Sequence, residues 1–471
     1  MERVPEGSRL ARQREISPLQ GMGCPQVLLA RVSGLPPPTR GILLPQWEEV
    51  MRRWGLVPNL LSAAFLLSAC GVLKPPISTV IVPETHLVTV EVTRVVRETV
   101  VVTPSPPLVW SLGIAQGPLL GIPRTWHTAT RLNDGRFLLV GGSNGMDGHY
   151  ALVEIYDPAN GLLTPAASLH TPRSGHSATL LQDNRVLIVG GYNYQQQWLQ
   201  DTEVYDPSTD TWTVVPPIYP HGVGHTATLL RDGRVLVVGG CIGSSICTDR
   251  VEIFDPHTNS WTETTHLTDY RASHTAVLLD DGRVLVAGGG GPYGNPTDGD
   301  ALLFDPLTNQ WTATGSMVQP RTQAQMLKLL DGRVMVVGGL IVSAYPVALA
   351  STEIFDPASS TWTSAASLAQ PRHAFTLGLL PDGQLMAVGG AHEYDYPVNY
   401  PDSHPWTASS FVRKIETYDP RSDRWRVAGE LPQPVTYGAA VFLPDGRLWL
   451  TGGGAGHALA PAWAETWLIS P

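Results

Sequence analysis

The sequence predicts an all-β fold, a seven-bladed β-propeller of four-stranded antiparallel blades, on three observations. A Gly-Gly pair recurs seven times, beginning at Gly141, Gly190, Gly239, Gly288, Gly338, Gly389 and Gly452, with nearly even spacing and one longer step before the last. A turn dipeptide stands before each pair: Asp134-Gly135, Asp183-Asn184, Asp232-Gly233, Asp281-Gly282, Asp331-Gly332, Asp382-Gly383 and Asp445-Gly446. Five copies then carry an aromatic with a Trp seven residues later: Tyr205/Trp212, Phe254/Trp261, Phe304/Trp311, Phe355/Trp362 and Tyr418/Trp425. A fixed period near fifty residues marks a repeat architecture, in which each unit buries its faces only against its neighbours.

The third copy shows why each element forms. His225-Thr226-Ala227-Thr228-Leu229-Leu230 is a first strand, and Asp232-Gly233 tolerates the positive φ of a tight hairpin turn. Arg234-Val235-Leu236-Val237-Val238 is the second strand and runs into Gly-Gly. After a variable loop, Glu252-Ile253-Phe254 is the third strand, ended by Asp255-Pro256, and Trp261 marks a fourth. Four short strands per unit make one propeller blade. Composition agrees: 43% apolar and 15% charged residues, with 47 Gly and 41 Pro, suit many short strands joined by turns.

Two copies depart from the pattern. The first has Leu163 where the Trp belongs. The seventh, Tyr437–Pro471, supplies three strands only. Leu108-Val109-Trp110-Ser111 precedes the first blade as every fourth strand precedes its next blade. It is expected to complete the seventh blade and close a monomeric ring, which removes the sheet edges that invite aggregation.

The propeller is expected over 108–471, preceded by address and tether. Met51-Arg52-Arg53-Trp54, the apolar run Gly55–Leu67 and Leu67-Ser68-Ala69-Cys70 read over 51–70 as an export signal rather than a membrane span. Its end is similar to a bacterial lipoprotein processing site, which implies a lipid on Cys70. Residues 1–50 lie upstream of that signal and are expected to be untranslated or a disordered leader. Residues 71–107, bounded by proline clusters and rich in Val and Thr, are expected to form an extended tether.

The Gly-Gly pair with its spaced aromatic and Trp resembles the kelch repeat family, whose propellers belong to the galactose-oxidase-like superfamily. The resemblance covers about 108–471. It specifies the fold closely and the function loosely, because one fold hosts many activities. Some kelch domains use arginines at the channel mouth to hold acidic peptides. Here Arg124, Arg173, Arg271, Arg321 and Arg372 each stand at the same distance before a Gly-Gly, and the resemblance implies such a role for them. The alternative is an ion pair of each Arg with a third-strand Glu, among Glu154, Glu203, Glu252, Glu353, Glu416 and Glu465.

Other candidates follow from the loops. Length varies only in the loops of one face, which is where binding usually resides on a rigid frame. The longest, in the sixth copy, carries His392, Tyr394, Tyr396 and Trp406 among carboxylates, a mixture expected of a carbohydrate or peptide contact. Cys241 and Cys247 share one loop and are expected to form a local disulfide in an exported protein. His127, His176, His225 and His274 recur by whole blades, too far apart for ligand bonds of ~2.1 Å, so no metal or other cofactor is expected. A net charge of −10 becomes −13 once positions 1–69, with eight Arg against five carboxylates, are set aside, and that balance argues against a nucleic-acid surface.

A binding or scaffold module is therefore the favoured reading, with no catalytic residue assigned. The alternative is a carbohydrate-active enzyme, a mutarotase, lyase or copper oxidase, using the same face. The copper oxidases of the superfamily need a Cys cross-linked to a Tyr, whereas both propeller cysteines here sit together in one loop.

Overall fold

The computed structural model describes residues 112–470 apart from 146–147, 196, 244–245, 291–298, 342–345, 393–409 and 455–461, together with two strands at 78–81 and 87–90. The chain divides into two compact units, 1–103 and 104–471. In the first unit Ser78–Ile81 pairs antiparallel with Leu87–Val90. Cys70 and the segment 51–70 expected to be an export signal lie outside the described residues.

The second unit contains seven four-stranded antiparallel sheets, as the repeat predicts. Blade 2 is representative: Ser177–Leu180, Val186–Val189, Thr202–Asp206 and Thr211–Val214, paired in chain order. The first strands of successive blades pack side by side around the axis, including blade 7 against blade 1. Every second strand is wholly buried. That explains why these strands read as unbroken apolar runs: both of their faces are covered. Alternation then assigns the sides. Leu138 and Val140 pack with Val186, Ile188 and Tyr205 of blade 2, while Phe137 and Leu139 pack with Trp449 of blade 7.

The Gly-Gly pairs permit this close stacking of blades. Gly190 and Gly191 have φ of 62° and 103°, and a Cβ on Gly190 would lie 2.4 Å from the carbonyl oxygen of Gly222 in blade 3. The aromatic and the Trp face each other across the third and fourth strands, as Tyr205 does Trp212 with ring centroids 4.9 Å apart. In blade 1, where Leu163 is opposite Tyr156, the buried Trp449 of blade 7 fills the vacated role at 4.2 Å from Tyr156.

The ring closes as expected in kind but not in register. The outer strand of blade 7 is Gly113–Gln116, not Leu108–Ser111, which lies outside the described residues. Ile114 pairs with Ile469, and both join the core between blades 6 and 7. An isoleucine pair thus occupies the place of the aromatic–Trp pair, so Trp110 misleads as a marker. Deleting residues 1–117 is expected to expose Thr466–Ser470 as an edge and to cause aggregation, whereas deleting 1–111 should not. Light scattering of the two truncated proteins checks this. Equal behaviour would show that Gly113–Gln116 does not close the ring.

Candidate functional site

The recurrent arginines do not line the mouth. All five are buried at 0–2% exposure and reach sideways within their own blade. Arg173 donates to the Gly190 carbonyl at 2.9 Å and to Glu203 Oε1 at 2.7 Å. Arg321 repeats this with Gly338 and Glu353, and Arg124 and Arg372 pair with Glu154 and Glu416. The fixed interval in the sequence therefore brings a guanidinium to the first carbonyl of the Gly-Gly pair. The carboxylates also accept backbone N–H groups of the incoming loop, as Glu203 does from His170 and Thr171. Both charges are thereby satisfied, which a buried ion pair requires.

The exceptions show the same design by compensation. Blade 3 has Gly222 at the Arg position, and the preceding His221 takes over the role, within 2.8 Å of the Gly239 carbonyl and 2.9 Å of Glu252 Oε2. Blade 4 has Leu302 in the Glu register, and Arg271 turns to Asp300 at 2.7 Å. Blade 7 loses both partners together: Val435 stands for the Arg and Trp467 for the Glu. Glu465 is thus out of register for the expected pairing. These replacements serve blade stability, and none offers a cation to the channel.

The recurrent histidines are rungs between blades. His176 Nε2 lies 2.9 Å from Thr128 Oγ1, His225 Nε2 2.8 Å from Ser177 Oγ, and His274 Nε2 2.8 Å from Thr226 Oγ1, each on the preceding blade. His127 meets Thr451 at 2.8 Å, because Ala439, at the start of the strand it would otherwise contact, has no hydroxyl. Burial, aided by neighbouring positive charge, holds His176 and His225 at about 3 and His127 and His274 well below the ordinary value. These imidazoles are neutral at neutral pH.

Two residues beyond each Arg position, the chain makes a belt around the axis. Trp126, Gly175, Gly224, Ser273, Gln323, Ala374 and Tyr437 all have φ between 52° and 74°. Neighbouring members are joined by backbone: Trp126 N–H donates to the Tyr437 carbonyl at 2.9 Å, and Gly175 N–H to that of Trp126 at 2.9 Å. A left-handed conformation costs a bulky residue about 1–3 kcal/mol and tends to accompany function. Trp126 nonetheless stacks on Tyr437, with centroids 3.8 Å apart and planes within 18°.

This belt borders a cavity of about 730 Å³ at the mouth of the variable face. Beside the Trp126–Tyr437 stack, a second aromatic group joins its wall, with His149, Tyr192 and Tyr194 edge-on at 5.0–5.5 Å and Trp198 at 5.5 Å from Tyr192. Ser273, Gln323 and Gln325 line it from blades 4 and 5. Among the described residues the lining contains no Asp, Glu, Lys or Arg. Sequence reasoning missed these aromatics because the belt position varies from blade to blade. The available clue was that two blades hold Gly where two others hold Trp and Tyr.

The remaining candidates are placed as follows. His392 begins the long loop of blade 6, while Tyr394, Tyr396 and Trp406 lie outside the described residues. Cys241 and Cys247 are joined by a disulfide, with Cα atoms 3.9 Å apart. Cys241 also pairs with Val223, which lines the cavity. Among the described residues no three His, Cys, Asp or Glu side chains converge on a metal position, and no helix is long and apolar enough to cross a membrane.

Fold and site together define a repeat propeller with one aromatic mouth. A family model described as Attractin/LZTR1 beta-propeller matches residues 122–339, and one described as Kelch motif matches 329–369. Human Kelch-like protein 33 is 36% identical over 114 residues, covering 24% of this chain and 18% of that one. Kelch-like protein 35 of Mus musculus is 30% identical, over 23% of this chain and 24% of that one. The chain thus spans less than a quarter of the length of either relative. Among solved structures, a fungal alcohol oxidase of the AA5 family in complex with copper superposes with a TM-score of 0.60 at 16% identity, covering 77% of this chain and 76% of that one. That likeness shows the fold alone. The chain is a seven-bladed β-propeller that carries kelch-type repeats.

Proposed function

We propose that the chain is an exported, lipid-tethered binding module that takes a carbohydrate or peptide ligand at the mouth of its variable face. One observation carries this reading: a cavity of about 730 Å³ walled by aromatics, with no charged side chain among its described lining residues. Concave sites that combine apolar walls with a few polar groups are the usual places for ligands. The kelch relationship supports a binding role, since repeat propellers present variable loops on a rigid frame. The export signal ending in Cys70 supports attachment to the cell envelope, with residues 71–107 between anchor and propeller.

A glycan and peptide array probed with the purified protein tests the binding role. The expected ligands are uncharged at the contact, and Trp198→Ala should weaken them severalfold. Acidic ligands only, or binding indifferent to Trp198→Ala, would remove the mouth from the account. The anchor is tested separately: expressed from Met51, the protein should partition with membranes, and Cys70→Ala should release it or leave it unprocessed.

A further inference from the structure

We infer that the occupant of the mouth is a neutral pyranose unit of a glycan, seated against the Trp126–Tyr437 stack. The inference rests on the mouth being the binding surface and names the class of ligand it takes.

The belt position shows what the fold itself needs. Blades 2 and 3 meet the left-handed backbone with Gly175 and Gly224, and blades 4 and 6 with the small residues Ser273 and Ala374. Blade 5 has Gln323, and the other four show that a blade closes without bulk at this position. Two adjacent blades nevertheless carry the largest aromatics there, stacked face to face, and Trp126 remains 37% exposed. Packing does not account for them, because a partly exposed ring in a strained conformation gains little from burial. The belt residues on either side of the stack are small. A Cβ built on Gly175 would come 3.9 Å from Trp126 Cε3, so a larger residue there would begin to cover the indole, and beyond Tyr437 the belt continues with Ala374.

The surroundings select among ligands. Ser273, Gln323 and Gln325 line the cavity from blades 4 and 5, across the ring from the stack, and supply hydroxyl and amide groups. A pyranose presents a C–H face to an aromatic platform and hydroxyls at its edge, which fits a wall of rings facing a wall of amides. Among the described lining residues an anionic sugar or acidic peptide finds no Lys or Arg, because the nearby arginines are buried against their own carboxylates. Neutral peptides share part of this chemistry and are the competing outcome.

The test uses the full chain with three neutral tetrasaccharides (cellotetraose, maltotetraose and a β-1,4-galactotetraose), tetragalacturonate and uncharged tetrapeptides, read by saturation-transfer NMR and tryptophan fluorescence. At least one neutral tetrasaccharide should bind, and tetragalacturonate at least tenfold more weakly. Trp126→Gly and Tyr437→Gly should each lower that affinity at least tenfold while leaving the melting temperature unchanged or raised, since Gly is native to this position in blades 2 and 3. Trp126→Phe should restore most of the binding. Sugar binding that survives both glycine variants overturns the platform. Peptide binding without any sugar binding overturns the carbohydrate assignment and leaves the binding module standing. No binding by any probe overturns both. If the glycine variants melt clearly lower, the rings serve packing and the inference fails.

Discussion

The double replacement Arg173→Gln and Arg321→Gln is expected to unfold most of the propeller at physiological temperature. Each change removes one member of a buried ion pair and leaves Glu203 or Glu353 uncompensated, a loss of about 3–5 kcal/mol per site. Each also withdraws donors from a Gly-Gly carbonyl, at Gly190 and Gly338. The two sites lie in blades 2 and 5 and share no partner, so their costs should add. The sum, about 6–10 kcal/mol, is comparable to the whole stability of a typical domain, about 5–15 kcal/mol. Denaturant midpoints of the single and double variants measure it. Unchanged midpoints would show that these buried ion pairs do not hold their blades.

The second large effect is loss of stability in mild acid. His176 and His225 are held at about 3 in the folded chain by burial, with Arg173 and His221 adding to the shift, against about 6.5 when unfolded. Between those values the unfolded chain binds more protons than the folded one, so stability rises with pH and falls as pH drops below 6.5. From pH 7.5 to 5.5 each of the two should cost about 1.4 kcal/mol, or about 3 kcal/mol together. His127 and His274 are shifted in the same direction and deepen the fall. Urea midpoints across that range read the slope, and His176→Gln should make it shallower by about one proton. A flat profile would mean that these imidazoles charge freely in the folded ring.

Much of the architecture is legible in the chain because its signals are local. Strand alternation, Asp-Gly turns and the aromatic–Trp interval act within a dozen residues, so seven copies announce seven blades. The Cys241–Cys247 pairing is equally local. The constant interval from Arg to Gly-Gly marks each Arg as equivalent to the next, and the glutamates needed to pair them are visible two strands later.

Tertiary structure alone decided the rest, because those outcomes depend on contacts distant in sequence. Periodicity makes five arginines equivalent without saying whether they face the channel or their own blade. The carbonyls at Gly190 and Gly338 settle that. Leu108–Ser111 and Gly113–Gln116 are both plausible strands. The burial of Ile114 against Ile469, at the far end of the chain, selects the second. The exchange of Glu for Asp300, or of Leu163 for Trp449 from the neighbouring blade, conserves a contact rather than a residue, so repeat alignment cannot display it. The mouth is the extreme case. Trp126 and Tyr437 occupy a column with no other aromatic, and they meet only because closing the ring brings blade 7 beside blade 1.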